Sequence, residues 1–250
     1  MNQRHLSHQL ILKTLDHFNT KYLKQHNILF GGGTRIALEL NEFRESIDID
    51  FLCPDKESFR AVRQQVEENS LGKLLDNDFS FIKLRTDRDA VRSLIRVDGI
   101  VIKLEFVLFS DYQLQVDQNF PFVVPAIDHS SCFLTKLLAN ADRYNNAPYK
   151  DIFDILAMTD HWGSVPHEVW KHADQHYGLK TVVYGLDRSC HDILENKSKY
   201  IEIAENQLKI NLDYANKLLS DTVLNLLEQV DLKKELMISQ DRNLSYKPRL

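Results

Sequence analysis

Residues that interrupt secondary structure are scarce in this sequence, which has only 8 glycines and 6 prolines among 250 residues. Collagen-like chains and glycine- or proline-rich disordered chains contain several times more of both, so those classes are excluded. Hydrophobic residues make up 43% of the chain and charged residues 27%, which is typical of a folded globular protein. Because helix breakers are rare, we expect long helices.

Paired cysteines and long apolar runs are also lacking. Cys53, Cys132 and Cys190 lie far apart and form no CxxC pair, which excludes a zinc-type spacing and a disulfide framework. Polar residues interrupt the amino terminus every few positions, so we expect no signal peptide there. No apolar run approaches the ~18 residues of a membrane span. The sequence therefore predicts a soluble cytoplasmic protein without a membrane partner.

An excess of basic charge is absent as well. Asp and Glu number 36 against 31 Lys and Arg, which gives a net charge of −5. This excludes a globally basic coat for nucleic acid but allows a local basic cleft. One local basic stretch contains Arg85, Arg88, Arg92 and Arg96. These arginines could follow an RNA backbone or merely balance the aspartates between them.

Hydrophobic periodicity predicts a mixture of helices and strands in the first half of the chain. Apolar and polar residues alternate strictly in the segments around Asp48 and Glu105, which is typical of strands with one buried face. Asp98-Gly99 is a strong hairpin signal. The predicted elements are a helix over 5–25, a short strand over 28–30, a helix over 34–40, a strand over 46–52, a helix over 56–75, and strands over 79–86, 90–98 and 100–109.

After Pro121 the pattern becomes almost purely helical. Predicted helices cover 129–144, 149–162, 166–176, 179–195, 198–219 and 221–237, and the tail around Lys247 and Arg249 is expected to fray. We place a domain boundary near 121–127. The fold class is therefore α+β, with a mixed-sheet domain over 1–125 and a helical domain over 126–250.

A glycine turn followed by two paired acids could carry chemistry. Gly31-Gly32-Gly33 ends an apolar run and begins a helix, an arrangement that lets backbone N–H groups approach a phosphate. Asp48 and Asp50 are spaced to project from one strand face, where they could bind one or two Mg²⁺ ions. Taken singly, the glycines could be a simple turn and the acids a solvated strand edge.

Glu105 is a third candidate metal ligand. It lies on the polar face of the predicted strand over 100–109, opposite the apolar face formed by Ile102, Leu104 and Phe106. Three carboxylates on neighbouring strands could bind two metal ions, one for the attacking hydroxyl and one for the leaving pyrophosphate. Alternatively, Lys103 and Glu105 could be an ordinary exposed pair.

In order and spacing these residues resemble a known family. Phe30-Gly-Gly-Gly-Thr34, followed by Arg44-Glu-Ser-Ile-Asp-Ile-Asp-Phe51, is similar to the signature of polymerase-β-type nucleotidyltransferases. More narrowly, it resembles the AbiEii/AbiGii toxin branch, whose pattern is G-G-T and then R-x-S-x-D-h-D. Fourteen residues, Thr34 to Ile47, separate the glycines from Asp48, as in that branch.

A second block strengthens the resemblance. Family members carry K-x6-R-x6-R-D-x-x-D, and this chain has Lys136, Arg143, Lys150-Asp151 and Asp154 at those spacings, with Lys150 in place of the usual Arg. Lys136 and Arg143 would share one helix face and could neutralise a triphosphate. Asp151 and Asp154 would share a face of the next helix. Their simpler interpretation is a charge at the helix start with a surface ion pair to Arg143, and Asp154 could merely orient that arginine.

The resemblance implies a Mg²⁺-dependent enzyme, with Mn²⁺ as a possible substitute, that moves an NMP from an NTP to an acceptor hydroxyl. It implies that Gly32, Gly33 and Thr34 hold phosphates, Ser46 supports the acids, and Asp48, Asp50 and Glu105 bind metal. Lys136 and Arg143, with Asp151 and Asp154, would complete nucleotide binding in a cleft between the domains. Related toxins modify the 3′ end of tRNA, so an RNA acceptor and a cognate antitoxin are the expected partners.

Two other functions remain open from the residues alone. One is a small-molecule nucleotidyltransferase of the antibiotic-modifying kind, which would use the same metal site with another acceptor. The other is a catalytically silent module that binds a nucleotide or a partner protein.

Overall fold

The computed structural model describes residues 3–77, 79–109, 112–119 and 122–245. The chain divides into two compact units, residues 1–132 and 133–250. Pro121, where the sequence pattern changes, and Lys247 and Arg249 of the expected tail lie outside the described residues. Together, the mixed sheet of the first unit and the helices of the second confirm the predicted α+β class.

A five-stranded sheet organises the first unit. Its strands are β1 (Leu29–Gly31), β2 (Ile49–Cys53), β3 (Ser80–Thr86), β4 (Ala90–Val97) and β5 (Ile100–Leu108). Their spatial order is β1-β2-β5-β4-β3, with β2 and β5 parallel and the other neighbours antiparallel. Asp98 and Gly99 both have positive φ, 48° and 82°, as the predicted tight turn between β4 and β5 requires.

The helices of the first unit are α1 (Gln3–Leu15), α2 (Thr20–Gln25), α3 (Gly32–Glu39) and α4 (Lys56–Arg63). Apolar side chains of α1, α2 and α4 pack on one face of the sheet, where Phe51 stacks on Phe106 with ring centroids 5.1 Å apart. Ile102, Leu104 and Phe106 are fully buried in this core, as the alternation predicts. The apolar face of β5 therefore fixes which way its polar residues point.

Helices build the second unit, and the first of them begins at the end of the first unit. They are α5 (His129–Arg143), α6 (Lys150–Trp162), α7 (His167–Tyr177), α8 (Leu179–Glu195), α9 (Lys197–Asn206), α10 (Leu212–Lys217), a π-helical turn (Leu218–Thr222) and α11 (Val223–Ser245). Cys53, Cys132 and Cys190 are buried free thiols. Within the described ranges, no helix is long and apolar enough to cross a membrane.

Two predicted helices are interrupted at polar caps. The helix expected over 5–25 breaks after Leu15, because the Asn19 side chain accepts a hydrogen bond from the Tyr22 N–H at 2.9 Å and begins α2. The helix expected over 198–219 breaks after Asn206. There Lys209 takes a positive φ of 57°, and Asn211 caps α10 by accepting from the N–H of Asp213. These side-chain caps outweigh the continuing apolar periodicity.

Two further boundaries differ from the prediction. The helix expected over 56–75 ends at Arg63, and only a 3₁₀ turn, Gly72–Leu74, follows. Gly72 has a φ of 50°, and a Cβ there would lie 2.9 Å from the backbone oxygen of Gln65, so the chain turns tightly where a helix was expected. The strand expected over 46–52 begins only at Ile49, because Ser46 bonds to other side chains before the sheet starts.

Candidate active site

One cross-strand row brings the predicted acids together. Asp50 of β2 lies opposite Gly31 of β1 on one side and opposite Glu105 of β5 on the other. Directly opposed residues of adjacent strands project from the same face, so the two carboxylates are neighbours. Both are partly exposed, and Asp48 lies partly exposed just before β2. The face opposite the hydrophobic core therefore carries the acids.

Asp50 also lies directly against the glycine turn. A Cβ placed on Gly32 would lie 2.1 Å from Asp50 Oδ2, and the φ of Gly32 is 71°. Only glycine combines that conformation with such a close approach. Gly32 is the first residue of α3, so the Asp50 carboxylate lies beside the unsatisfied N–H groups of a helix amino terminus. The sequence predicted the glycine turn and the acid as one site, and the structure puts them in contact.

Ser46 joins the two halves of the signature. Its Oγ lies 2.8 Å from Oγ1 of the fully buried Thr34, so the residue after the glycines is tied to the segment that leads into β2. The Ser46 N–H donates to Nε2 of His8 at 3.4 Å. Burial lowers the pKa of His8 by more than the neighbouring Glu42 raises it. The lowered pKa favours the neutral imidazole, whose Nε2 can accept this bond. Ser46 therefore holds the loop in position.

His8 is a supporting residue that sequence reasoning missed. It is fully buried on α1, 38 positions before Ser46. Nothing in the amphipathic pattern of the opening helix distinguishes this histidine from a surface residue. Only the tertiary contact with the Ser46 loop shows its position next to the signature.

Glu105 has two cationic neighbours. Arg92 of β4 lies opposite Glu105 in the sheet and donates from Nε to Oε1 at 2.7 Å. Lys103 contacts the other carboxylate oxygen. The Glu105 side chain is only 12% exposed, whereas those of Arg92 and Lys103 are 47% and 45% exposed. The alternative pairing with Lys103 is thus present, and both oxygens of Glu105 are held by cations, while its backbone lies opposite Asp50.

The second motif block forms a buried ion network in the helical unit. Lys136 Nζ on α5 lies 3.0 Å from Asp151 Oδ1 and 2.7 Å from Asp154 Oδ2, both on α6. Arg143 donates to Asp151 through Nε at 2.5 Å and through Nη2 at 3.0 Å. Lys136 is 7% exposed and Asp154 is fully buried. The spacing thus brings all four residues together, and Asp154 pairs with Lys136.

In this network, ion pairing affects the pKa of Asp151 more than burial does. Desolvation alone would raise the pKa of Asp151, but the ammonium of Lys136 and the hydrogen-bonded guanidinium of Arg143 hold it well below its usual range. The hydrogen bonds that Arg143 donates to Asp151 likewise raise the pKa of Arg143. Asp151 is therefore ionised at neutral pH, and the network joins α5 to α6.

One protein family matches a long part of this chain. The family described as "Nucleotidyl transferase AbiEii toxin, Type IV TA system" matches residues 13–232, which include the glycine turn, the acids and the ion network. The chain belongs to this family. It is a nucleotidyltransferase of a toxin family from type IV toxin–antitoxin systems.

Two solved structures are similar to this AbiEii-family chain. A protein from H. pylori described as a nucleotidyltransferase has 16% sequence identity and a TM-score of 0.55, over 92% of this chain and 98% of that one. An antigenic nucleotidyltransferase-like protein from Paracoccidioides brasiliensis has 17% identity and a TM-score of 0.46, over 76% and 90% of the two chains. The similarity to the first structure supports the fold. The TM-score of the second is too low to support a conclusion. Among curated proteins, none matches this chain.

The donor atoms of the predicted site fit a divalent cation. Carboxylate oxygens are the ligands that Mg²⁺ and Mn²⁺ prefer, and Asp50 and Glu105 are adjacent on one face with Asp48 two residues away along the chain. In this AbiEii-family structure Glu105 is paired with Arg92 and Lys103, so metal binding by Glu105 would exchange these cations for the ion. The chemistry of these carboxylates fits the metal, but in this structure the oxygens of Asp48, Asp50 and Glu105 do not all lie within 4.8 Å of one another.

A different group has its ligand atoms closer together. Among the residues that the structure describes, the group of three potential ligands whose atoms all lie within 4.8 Å of one another is Glu39, Asp117 and His129. The guanidinium of the fully buried Arg35 already bonds Glu39 and reaches Asp117 at 3.1 Å. An ion-pair network therefore accounts for this cluster. No sequence pattern indicates this cluster, because its members are far apart along the chain.

Proposed function

We propose that this AbiEii-family enzyme transfers a nucleoside monophosphate from an NTP to a hydroxyl of RNA, at the 3′ end of tRNA. The observation that carries the proposal is the contact of the Asp50 carboxylate with Gly32, combined with the position of Glu105 directly opposite Asp50. A phosphate at the glycine turn and a cation at the acids would thereby be adjacent. This is the arrangement that nucleotidyl transfer needs.

In this proposal the first turn of α3 binds the phosphates. The N–H groups of Gly32, Gly33 and Thr34 lie where a helix leaves its donors unsatisfied, and the helix dipole favours an anion there. The hydroxyl contact between Thr34 and Ser46 keeps this turn in register with the acid-bearing segment. Ser46 is assigned a supporting role, because it touches Thr34 and His8.

Asp48, Asp50 and Glu105 are the proposed ligands of Mg²⁺, for which Mn²⁺ could substitute. When bound, the cation would neutralise phosphate charge and polarise the reacting phosphoryl group. The three carboxylates are catalytic in this sense, because they place that charge beside the glycine turn. Asp50 and Glu105 lie opposite each other on adjacent strands, and Asp48 precedes Asp50 by two residues.

The proposed reaction is a displacement at the α-phosphorus. The acceptor hydroxyl oxygen forms a bond to that phosphorus, the bond to the bridging oxygen of pyrophosphate breaks, and the hydroxyl proton passes to solvent. No residue needs to be assigned as a general base, since positioning and charge stabilisation provide most of the catalysis in phosphoryl transfer. The chain's part is to hold the nucleotide and to place the acids beside it.

For the two domains we propose that residues 1–125 are the catalytic domain and that residues 126–250 contribute to nucleotide and acceptor binding. Lys136 and Arg143 are the proposed triphosphate cations. Arg143 supports this role best, since its side chain is 55% exposed while bonded to Asp151. Asp151 and Asp154 would position both cations by the contacts described above. Lys136 is then a candidate catalytic residue through its ammonium charge.

A cognate antitoxin is the proposed protein partner. The family name places related chains in type IV toxin–antitoxin systems, and a transferase that modifies tRNA would arrest translation unless it is opposed. Co-expression with the product of a neighbouring reading frame should restore growth of cells that are arrested by this enzyme. Arrest that no neighbouring gene relieves would contradict this part of the proposal.

One labelling experiment tests the acceptor. The purified chain is incubated with each of the four α-labelled NTPs, Mg²⁺ and total RNA, and the products are separated on a denaturing gel. The proposal predicts label at the size of tRNA with one or two of the nucleotides. Label that migrates as a small molecule would replace the RNA assignment with the antibiotic-type alternative, and no transfer under any condition would reject the activity.

A further inference from the structure

The row of residues that contains the acids continues into basic residues. Opposite Glu105 lies Arg92 of β4, and opposite Arg92 lies Arg85 of β3. Directly opposed residues share a face, so carboxylates and guanidiniums follow one another across the sheet on the side away from the hydrophobic core. The polar row therefore runs from the proposed metal site out to the edge strand.

More basic residues flank this row on the same face. Strand alternation puts Lys83 beside Arg85, Arg96 beyond Arg92, and Lys103 beside Glu105. We name this set the cationic face, and it consists of Lys83, Arg85, Arg92, Arg96 and Lys103. All five side chains are exposed.

Local neutralisation explains only part of the cationic face. Arg92 contacts Asp87 and Glu105, and Lys103 contacts Glu105. Within the part of the chain that the structure describes, no ion pair involves Lys83, Arg85 or Arg96. Moreover, Arg85 lies directly opposite Arg92, and like charges in that position destabilise a sheet. Asp87 also interacts electrostatically with Arg85. The aspartates of the hairpin therefore do not account for Lys83 and Arg96.

We propose that the cationic face binds the phosphodiester backbone of the single-stranded 3′ end of the RNA acceptor and leads that end to Asp50 and Glu105. The inference rests on the proposed function, and it assigns the acceptor to a surface of the first unit. A polyanion is the partner whose charge complements five exposed cations in a protein with a net charge of −5.

The dimensions of the cationic face suit a short stretch of RNA. From Arg92 to Arg96 a strand advances roughly 14 Å, and β3 and β5 lie roughly 10 Å apart across the sheet. At roughly 3.4 Å of axis per nucleotide in a stacked strand, the roughly 10 Å that the row covers across the sheet accommodates about three phosphates. Because the row ends at Glu105 and Asp50, a chain terminus that follows it arrives at the acids.

The test compares two triple variants of the full chain. The face variant is Lys83→Gln with Arg85→Gln and Arg96→Gln, which leaves the contacts of Glu105 with Arg92 and Lys103 in place. The matched control is Lys13→Gln with Lys21→Gln and Lys24→Gln, three exposed lysines on α1 and α2. Those helices pack on the opposite face of the sheet, so both variants lose three positive charges of the same unit.

Binding of a short fluorescent single-stranded RNA is measured by anisotropy at several salt concentrations. Each lost phosphate contact lowers the slope of log K against log salt by about 0.7, so the face variant should lose about two units of slope. It should also lose on the order of a hundredfold in affinity at about 0.1 M salt. The control should change little. Calorimetric NTP affinity and melting temperature should match the wild type in both variants, which shows that the fold and the nucleotide site are intact.

Each other outcome has a separate meaning. Equal losses of RNA affinity in the face variant and the control variant would show non-specific attraction between the protein and RNA and overturn the proposal. RNA affinity unchanged in the face variant would overturn it while leaving an RNA acceptor in place elsewhere. If that variant instead lost affinity for a polyglutamate peptide, an acidic protein would be the occupant, which also overturns it. A wild type that binds NTP but no RNA would contradict the RNA acceptor itself.

Discussion

At the scale of single residues, the closest approach in the proposed site is between Gly32 and Asp50. We predict that Gly32→Ala abolishes nucleotide transfer, because its methyl group would lie 2.1 Å from Asp50 Oδ2 and displace that carboxylate. The matched control is Gly99→Ala, which has a similar φ of 82° but nothing within 4 Å of its Cβ. Both should lose roughly 1 kcal/mol of unfolding free energy from the positive φ. Transfer assays and urea unfolding of both variants provide the comparison, and an active Gly32→Ala enzyme would separate the glycine turn from the acid site.

Glu105 is the residue for which the metal-ligand and ion-pair interpretations compete most directly. Glu105→Gln keeps the size of the side chain but removes the charge that a metal needs. If Glu105 binds the ion, turnover should fall by at least about a hundredfold at saturating NTP. The control is Glu68→Gln, which changes an exposed carboxylate outside the sheet of the same unit and should leave turnover in place. A loss below about threefold in Glu105→Gln would assign this residue to its pairs with Arg92 and Lys103.

At the scale of elements, Asp151 should stabilise the contact between α5 and α6 in a pH-dependent way. Its pKa in the folded chain lies below the unfolded value of about 3.9, so its stabilisation is fully present above about pH 4 and is lost as the pH falls towards the folded pKa. Asp151→Asn should therefore lower the unfolding free energy by about 3 kcal/mol at pH 7. The difference in unfolding free energy between wild type and Asp151→Asn should narrow below pH 4. The control is Asp213→Asn, which changes an exposed aspartate. A difference in unfolding free energy between wild type and Asp151→Asn that does not depend on pH would contradict the role of the Asp151 charge.

Lys136 tests whether the same network also binds nucleotide. Lys136→Ala should weaken binding of a non-hydrolysable NTP with Mg²⁺ by about ten- to hundredfold, the value of a charge-assisted contact of roughly 1.5–3 kcal/mol. Because this change leaves the fully buried Asp154 without its ammonium, the neutral pair Lys136→Gln with Asp154→Asn is measured beside it. Lys171→Ala, an exposed lysine on α7, is the control. Calorimetric dissociation constants equal to the wild type in a folded variant would remove Lys136 from the site.

Much of the element order could be predicted, because alternation and turn residues are local signals. The hairpin at Asp98-Gly99 and the buried face of β5 follow directly from them. The interruptions after Leu15 and Asn206 could not be predicted from periodicity, since apolar spacing continues through them. Single asparagine side chains, which cap α2 and α10, decide where the helices resume.

The site was predictable as a set of residues but not as an arrangement. Alternation indicates the face from which Asp50 and Glu105 project. Their register depends on the parallel pairing of β2 with β5, and a hairpin of two other strands lies between these strands in sequence. No local signal specifies that crossover. For the same reason, the pairing of Glu105 with Arg92 and the support of Ser46 by His8 appear only in the fold.

At the scale of the whole molecule, a nucleotidyltransferase with a net charge of −5 must concentrate its positive charge where polyanions bind. The first unit does so on the cationic face beside the acids. In the second unit, Lys136 and Arg143 are balanced by Asp151 and Asp154, and the charge that reaches solvent is that of the half-exposed Arg143. Under the proposed function, the first set of cations binds the acceptor and the second binds the nucleotide. The central claim of that proposal is that Asp48 and Asp50 form the metal-dependent centre of nucleotidyl transfer.

The most direct measurement of that claim is the transfer of label from NTP to RNA by wild type, Asp48→Ala and Asp50→Ala at equal concentrations. Both variants should retain the wild-type melting temperature or exceed it slightly, because removing one of two neighbouring carboxylates relieves their mutual repulsion. Both should show no transfer at any Mg²⁺ or Mn²⁺ concentration. Full transfer by either folded variant would contradict the metal-dependent centre.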